Sequence, residues 1–488
     1  MKPSRTKVPY VRLRIEKENG SPVVAKLDII DAVLRESSSG RLPAGLRLPP
    51  VRLLHHQLGV SKNTVCAAYD ELVARGIVEN RKRLGYFMLA PTKRRSNTRA
   101  LVATDLIVNE CTPFPATRTK SWTNQEVIPL GSVYIDKELL PVARITECFR
   151  ASLKSPGLRY MHDLQGFEPL RRRIAGRLEK RGIPAHADDV IITTGSQHAL
   201  DIAVRAMKRR CIATENPTYA IAKKLFELQQ MEVVGLPFNP FTGIDMDDWR
   251  QRIAARRPGA LYLVTNFQNP TGYSYGTAEL MSLLNLSREF QFGLIEDDWG
   301  SDMLSYSEFR PPLRSLGGDS VLYVNSFTKK LLPSLRIGFL LCNPRIRDAL
   351  LVAKHAAMLG NPSLTEVALF EFLDRGYYDA HLRNLQTELD SRYHACLAAL
   401  QALMPAEVRW TTPGGGPILW LEIPRDVDLV ALAERLGKRQ VSLEARTGDW
   451  FFGAPHLHGV RIGYAQCDSK RLTMGLEILA DEIRRGRS

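Results

Sequence analysis

Hydrophobic positions along this chain change their period twice, and each change marks a different kind of structure. Over 22–91, apolar residues recur at helical spacing in three short runs, 24–34, 50–58 and 62–75. The last carries Val65, Ala68, Tyr69, Leu72 and Val73 on one face. Ser61 stands where an N-cap belongs, and Gly76 stands where that helix must stop. Two β-rich runs follow, Ile77-Val78-Glu79 and Tyr86-Phe87-Met88-Leu89, joined by the basic stretch Asn80-Arg81-Lys82-Arg83-Leu84-Gly85. Helix, helix, tight turn, helix and hairpin in that order predict a winged helix-turn-helix.

From residue 127 the period alternates. Short β-rich runs such as Val190-Ile191-Ile192-Thr193-Thr194, Leu261-Tyr262-Leu263-Val264 and Gly293-Leu294-Ile295-Glu296 are separated by helical stretches, which predicts an α/β sheet. Residues 92–126 lack a persistent period and are rich in Thr, Arg, Lys, Ser and Pro, so they read as a linker. The expected organisation is a basic tail over 1–21, a winged helix-turn-helix over 22–91, the linker over 92–126, and an α/β domain over 127–488. At 488 residues the chain exceeds what one core usually spans, so the large domain is expected to have two lobes.

Charge sharpens the first domain. The chain carries a net +15, and its first hundred residues hold 20 Lys/Arg against 8 Asp/Glu, so most of the excess sits at one end. That end is the expected polyanion contact. Seven scattered cysteines without a Cys-x-x-Cys pair argue against a disulfide framework or a metal site and favour a reducing cytoplasm. No run of ~20 uninterrupted apolar residues is present, so no membrane span is expected.

A recognition helix reads the major groove from near its N-terminus, while Arg and Lys on phosphates set register. Ser61, Lys62, Asn63 and Thr64 stand at that N-terminus; Arg47 and Arg52 flank it, and Arg81 and Lys82 lie in the hairpin tip. The segments Gly40-Arg41-Leu42-Pro43-Ala44-Gly45-Leu46-Arg47-Leu48-Pro49-Pro50-Val51-Arg52, Leu58-Gly59-Val60-Ser61-Lys62-Asn63-Thr64-Val65 and Ala68-Tyr69-Asp70-Glu71-Leu72 resemble the GntR family of bacterial regulators. The resemblance implies double-stranded operator DNA as partner, with Arg52, Lys62 and Thr64 as its strongest contacts. The adjacent His55-His56 pair cannot face a common ligand on a helix and is given no role.

A second chemistry is written downstream. Ser326-Phe327-Thr328-Lys329, followed by Leu335-Arg336-Ile337-Gly338, sets an aldehyde-trapping lysine beside an arginine whose fork suits a phosphate. These are the requirements of pyridoxal 5'-phosphate (PLP). Thr194-Gly195-Ser196-Gln197 ends a strand and opens a helix, a place where backbone N–H groups face an anion. Glu215-Asn216-Pro217-Thr218-Tyr219 ends in an aromatic able to stack on a ring, and Asn269-Pro270-Thr271-Gly272 supplies an amide for a ring oxygen. In Ile295-Glu296-Asp297-Asp298-Trp299 either aspartate suits a pyridine nitrogen, and Arg461 in Val460-Arg461-Ile462-Gly463 suits a carboxylate.

Together these motifs resemble the fold-type I aminotransferases over residues 127–488, and the fused head resembles the MocR/GabR-type regulators. The resemblance implies Lys329 as the Schiff-base lysine, Asp297 at the pyridine nitrogen, Asn269 at the ring oxygen and Tyr219 stacked on the ring. Ser196, Ser326 and Arg336, beside Gly195 and Gln197, are implied at the phosphate, and Arg461 at an effector carboxylate. It also implies a head-to-tail homodimer with sites at the subunit interface, and a regulator answering PLP or an amine or amino-acid effector. A catalytically active aminotransferase with a DNA-binding head is the alternative. Three positions depart from the pattern: Trp299 replaces a tyrosine at the ring oxygen, Ile221 replaces a second arginine, and Met161 falls where a tyrosine is usual, with Tyr160 one place earlier.

Overall fold

The computed structural model describes residues 13, 26–38, 42–81, 84–89, 127–155, 158, 163–303, 310–445 and 447–486. The expected linker over 92–126, the tail over 1–21 apart from Leu13, and Lys82, Arg83, Tyr160 and Met161 lie outside the described residues. The chain divides into two compact units, Met1–Val108 and Asn109–Ser488.

The first unit packs three helices, α1 (Lys26–Ser38), α2 (Val51–Leu58) and α3 (Lys62–Ala74), against a hairpin of β1 (Val78–Arg81) and β2 (Gly85–Met88). Helix α2 stops because Gly59 adopts φ 67, a left-handed turn that glycine enters without a Cβ penalty. Helix α3 starts two residues later, where the Ser61 hydroxyl accepts from the Thr64 N–H at 3.0 Å. Val65, Ala68, Tyr69 and Leu72 then point inward against Ile29, Ile30, Val33 and Leu54. The buried Tyr69 hydroxyl donates to the Pro49 carbonyl at 2.9 Å and ties α3 to the segment preceding α2.

The second unit is built on a seven-stranded sheet. In chain order its strands are β4 (Val190–Thr193), β5 (Cys211–Asn216), β6 (Glu232–Pro237), β7 (Ala260–Leu263), β8 (Gly293–Asp297), β9 (Val321–Ser326) and β10 (Gly338–Leu341). Their spatial order is β4-β10-β9-β8-β7-β5-β6. All pairings are parallel except those of β10, which runs antiparallel to both neighbours. Nearly every residue of β4, β5, β7, β8 and β9 is buried, as expected for a sheet covered on both faces.

A smaller lobe holds the antiparallel strands β11 (Arg409–Trp410), β12 (Ile418–Glu422) and β14 (Gly459–Gly463), packed on helices Tyr377–Leu403, Leu429–Lys438 and Ser469–Arg485. A short parallel pair, β3 (Ile128–Pro129) with β13 (Val441–Ser442), ties the start of the domain to this lobe. The sequence motifs fall at the C-terminal ends of β4, β5, β7, β8 and β9, the edge where open parallel sheets bind ligands.

Candidate functional site

In the first unit, Arg52, Ser61, Lys62, Asn63 and Arg81 are exposed, and Arg47 and Thr64 are half-buried. Lys62, Asn63 and Thr64 form the first turn of α3, with Lys62 and Asn63 exposed and the Thr64 N–H capped by Ser61. Arg47 instead lies against the wing: it bridges Phe87, and a Cβ added to Gly85 would meet its Nε at 3.1 Å. Arg81 folds back on β1, donating to Glu79 at 2.8 Å and stacking 4.6 Å above the Phe87 ring.

The two adjacent lysines after β9 have different surroundings. Lys330 is fully buried, and its ammonium donates to Asp302 at 3.0 Å and to Asn325 at 2.7 Å. Against the penalty of burial, Lys330 and Arg181 hold the Asp302 carboxyl well below its ordinary range. Lys330 is therefore a structural ion. Lys329 is half-buried, with its Nζ 4.3 Å from the Trp299 ring centroid and 5.5 Å from that of Tyr219. Sequence motifs from the ends of β5, β8 and β9 meet at this amine.

The two candidate aspartates separate just as clearly. Asp298 accepts from Tyr323 at 2.6 Å, Arg181 at 3.0 Å and the Ser301 N–H at 3.1 Å, so it serves the packing behind the sheet. Asp297 accepts from the Tyr262 hydroxyl at 3.0 Å through Oδ2, while its buried Oδ1 has no hydrogen-bond partner. Burial pushes the Asp297 carboxyl up to about 6, opposed by the Tyr262 hydrogen bond and the Lys329 charge. An unpartnered buried carboxylate oxygen is costly, and a protonated ring nitrogen is a group that relieves it. Tyr262 was not singled out from sequence, because an inward tyrosine on a buried strand carries no local mark of its partner.

At the end of β4, Gly195 adopts φ 92 and opens helix Ser196–Ala206. Arg336, itself left-handed at φ 48, brings its guanidinium against this turn: a Cβ on Gly195 would meet its Nη2 at 3.1 Å and Thr328 Oγ1 at 3.6 Å. The buried Thr328 hydroxyl has no partner, whereas Ser326 Oγ donates to the Ile337 carbonyl at 3.2 Å and accepts from the Thr328 N–H at 3.1 Å. Thr328, another residue not assigned from sequence, thus joins Gly195 and Arg336 in a cup at the N-terminus of this helix. Ser326 braces that cup. Gln197, in the first turn of that helix, donates to the Ile221 carbonyl at 3.4 Å through Nε2, while its buried Oε1 has no hydrogen-bond partner.

Asn269 and Arg461 meet across the lobes, with Arg461 Nη1 donating to Asn269 Oδ1 at 2.7 Å. The fork expected to take an effector carboxylate already holds one of the chain's own: Arg461 Nη2 donates to Glu444 at 2.6 Å, besides the Gly131 carbonyl at 2.7 Å. Trp299 reaches the site by its ring face, since its indole N–H donates to the Phe267 carbonyl at 3.3 Å. Near the end of β5, the fully buried Glu215 is pushed up to about 8 by burial. It accepts from Tyr275 at 2.6 Å and the Val264 N–H at 3.3 Å, which fastens the end of β5 to the loop after β7.

The residues present fit PLP: an amine between two aromatic rings, a buried carboxylate with an unpartnered oxygen, and an anion cup at a helix N-terminus. No cluster among the described residues is suited to a metal, and no described helix is long and apolar enough to cross a membrane.

Comparison with known proteins agrees with both units. Residues 126–479 match the model for aminotransferase class I and II, and residues 26–88 match that for the gntR family of bacterial regulatory proteins. The 2-aminoadipate transaminase of Thermus thermophilus is 30% identical over 71% of this chain and 87% of its own. The probable rhizopine catabolism regulatory protein MocR of Rhizobium meliloti is 27% identical over 91% of this chain and 90% of its own. The kynurenine aminotransferase of Pyrococcus horikoshii, solved in complex with PMP, superposes with TM-score 0.71 at 25% identity over 77% of this chain and 95% of its own. The fold and these likenesses imply pyridoxal phosphate as cofactor. The chain belongs to the class I and II aminotransferase family, here carried behind a DNA-binding domain of the gntR regulatory family.

Proposed function

We propose that this protein is a cytoplasmic transcriptional regulator in which PLP, with an amine effector, modulates operator binding. The observation that carries the reading is the coexistence in one chain of an outward-facing recognition turn, Ser61 to Thr64, and the amine of Lys329 held between Tyr219 and Trp299. PLP supplies an aldehyde that captures primary amines. In our reading Lys329 anchors that aldehyde, Asp297 keeps the ring nitrogen protonated, and Gly195, Ser196, Thr328 and Arg336 hold the phosphate. Tyr219 and Trp299 would enclose the ring, Asn269 would stand at its ring oxygen, and Arg461 would face the effector.

For such a site to signal, the effector must bind two conformations of the protein with different affinity. Lobe closure is the change that Asn269 and Arg461 are placed to sense, because their 2.7 Å contact joins the large and small lobes. We take the working form to be a head-to-tail homodimer, whose two heads would read two half-sites. Residues 22–91 would be the head, 92–126 the linker and 127–488 the sensor. A second reading, an active transaminase, draws on the 30% identity to an enzyme of that name. Sustained turnover of an amine and a keto acid favours it; its absence favours the regulator.

The cofactor step is tested by adding PLP, reducing with borohydride and mapping the adduct by peptide mass. A pyridoxyl group on Lys329 is the expected result. Its absence, or its appearance on Lys330, contradicts the assignment.

A further inference from the structure

We infer that Glu444 sets the effector class, by occupying the carboxylate-binding edge of Arg461 and turning the site toward amines that lack a carboxylate. The inference rests on the cofactor reading above. A guanidinium grips a carboxylate through two parallel N–H groups, and it has only two such edges, Nη1 with Nη2 and Nε with Nη2. Both need Nη2. In this structure the two N–H groups of Nη2 serve the Gly131 carbonyl at 2.7 Å and Glu444 Oε2 at 2.6 Å. Nη1 serves Asn269 at 2.7 Å. Every bidentate edge is closed while Glu444 stays in place.

Glu444 is held there by backbone packing. Its segment follows β13, which pairs with β3 at Val441 and Ile128, and the Gly131 N–H donates to the Ser442 carbonyl at 3.0 Å. A Cβ on Gly131 would lie 2.8 Å from the Glu444 nitrogen, so the two backbones touch where only glycine permits it. Arg461 grips both sides of this contact. Its side chain is 7% exposed and that of Glu444 is 20%, so the pair is largely shielded from screening by solvent.

An effector carboxylate entering this site must displace a charge-assisted contact and meet a like charge beside it. An amine without a carboxylate meets neither cost. Glu444 is thus a specificity determinant acting through Arg461.

The test uses the full-length protein saturated with PLP, wild type beside Glu444→Gln and Glu444→Ala. Each is titrated with L-alanine and with ethylamine, which is alanine without its carboxylate, and the change in cofactor absorbance gives two dissociation constants. Intrinsic differences between the amines cancel when their ratio is compared across proteins. Removing the charge should shift that ratio toward L-alanine by about tenfold, the scale of one charge-assisted contact. Glu444→Ala, which also empties the edge, should shift it at least as far. A ratio unchanged in whichever variant folds overturns the inference while leaving the cofactor reading intact. A wild-type protein that takes up no PLP overturns both.

Discussion

Replacing Asp297 by Asn separates what the carboxylate does for the fold from what it does for the cofactor. The amide keeps the shape and can still accept the Tyr262 hydrogen bond, so only the charge and the unpartnered Oδ1 change. Without cofactor, burial lifts the Asp297 carboxyl from 3.8 to about 6, which at ~1.36 kcal/mol per unit corresponds to roughly 3 kcal/mol. The folded value lies above the unfolded one, so the folded state binds this proton more tightly. The carboxylate therefore costs stability in full above about pH 6, and the cost fades as pH falls toward 4. Asp297→Asn should stabilise the cofactor-free protein at pH 8 by up to roughly 3 kcal/mol and leave it little changed at pH 4. With PLP the sign reverses, because a buried charge pair is lost at ~3–5 kcal/mol, weakening cofactor affinity roughly a hundredfold to a few thousandfold. Between pH 5 and 7 wild-type affinity should also rise more steeply than that of the variant, by the part that ionisation of the carboxylate contributes. Urea unfolding and absorbance titration read the two effects. Unchanged PLP affinity, or a cofactor-free variant less stable than wild type at pH 8, would rule out this role for Asp297.

Two further substitutions probe neighbouring assignments. Lys330→Ala should cost about 3 kcal/mol of stability by breaking the buried contacts to Asp302 and Asn325, while any protein still folded keeps its pyridoxyl adduct on Lys329. Stability equal to wild type would contradict Lys330 as a structural ion. Lys62→Ala should weaken binding to all DNA sequences alike and reduce the salt slope of log affinity by about 1, as loss of one phosphate contact requires. A loss confined to one base position would instead make Lys62 a reader of sequence.

What the chain disclosed in advance were features carried by neighbours in sequence. Ser61 before an apolar helical face, the strand-Gly-Ser-helix turn at 194–197 and the lysine and arginine at 329 and 336 each signal locally, and each lies at the edge or turn its motif demands. What remained hidden were partners brought together by strand order. Tyr262 and Asp297 touch because β7 and β8 are adjacent in the sheet, although the two residues are 35 positions apart in sequence. The division of labour between Lys329 and Lys330, or between Asp297 and Asp298, turns on which way consecutive side chains leave the end of a strand. Glu444 offers no motif at all; it reaches Arg461 through the pairing of β3 with β13.

Operator affinity measures directly whether the cofactor site and the DNA head are coupled. Fluorescence anisotropy on a DNA fragment selected by the wild-type protein, with and without saturating PLP and then amine, would be compared with Lys329→Ala. Affinity should change with ligand in the wild type and stay constant in the variant, with cofactor-free affinities alike. Equal ligand dependence in both proteins, or none in either, would contradict that coupling.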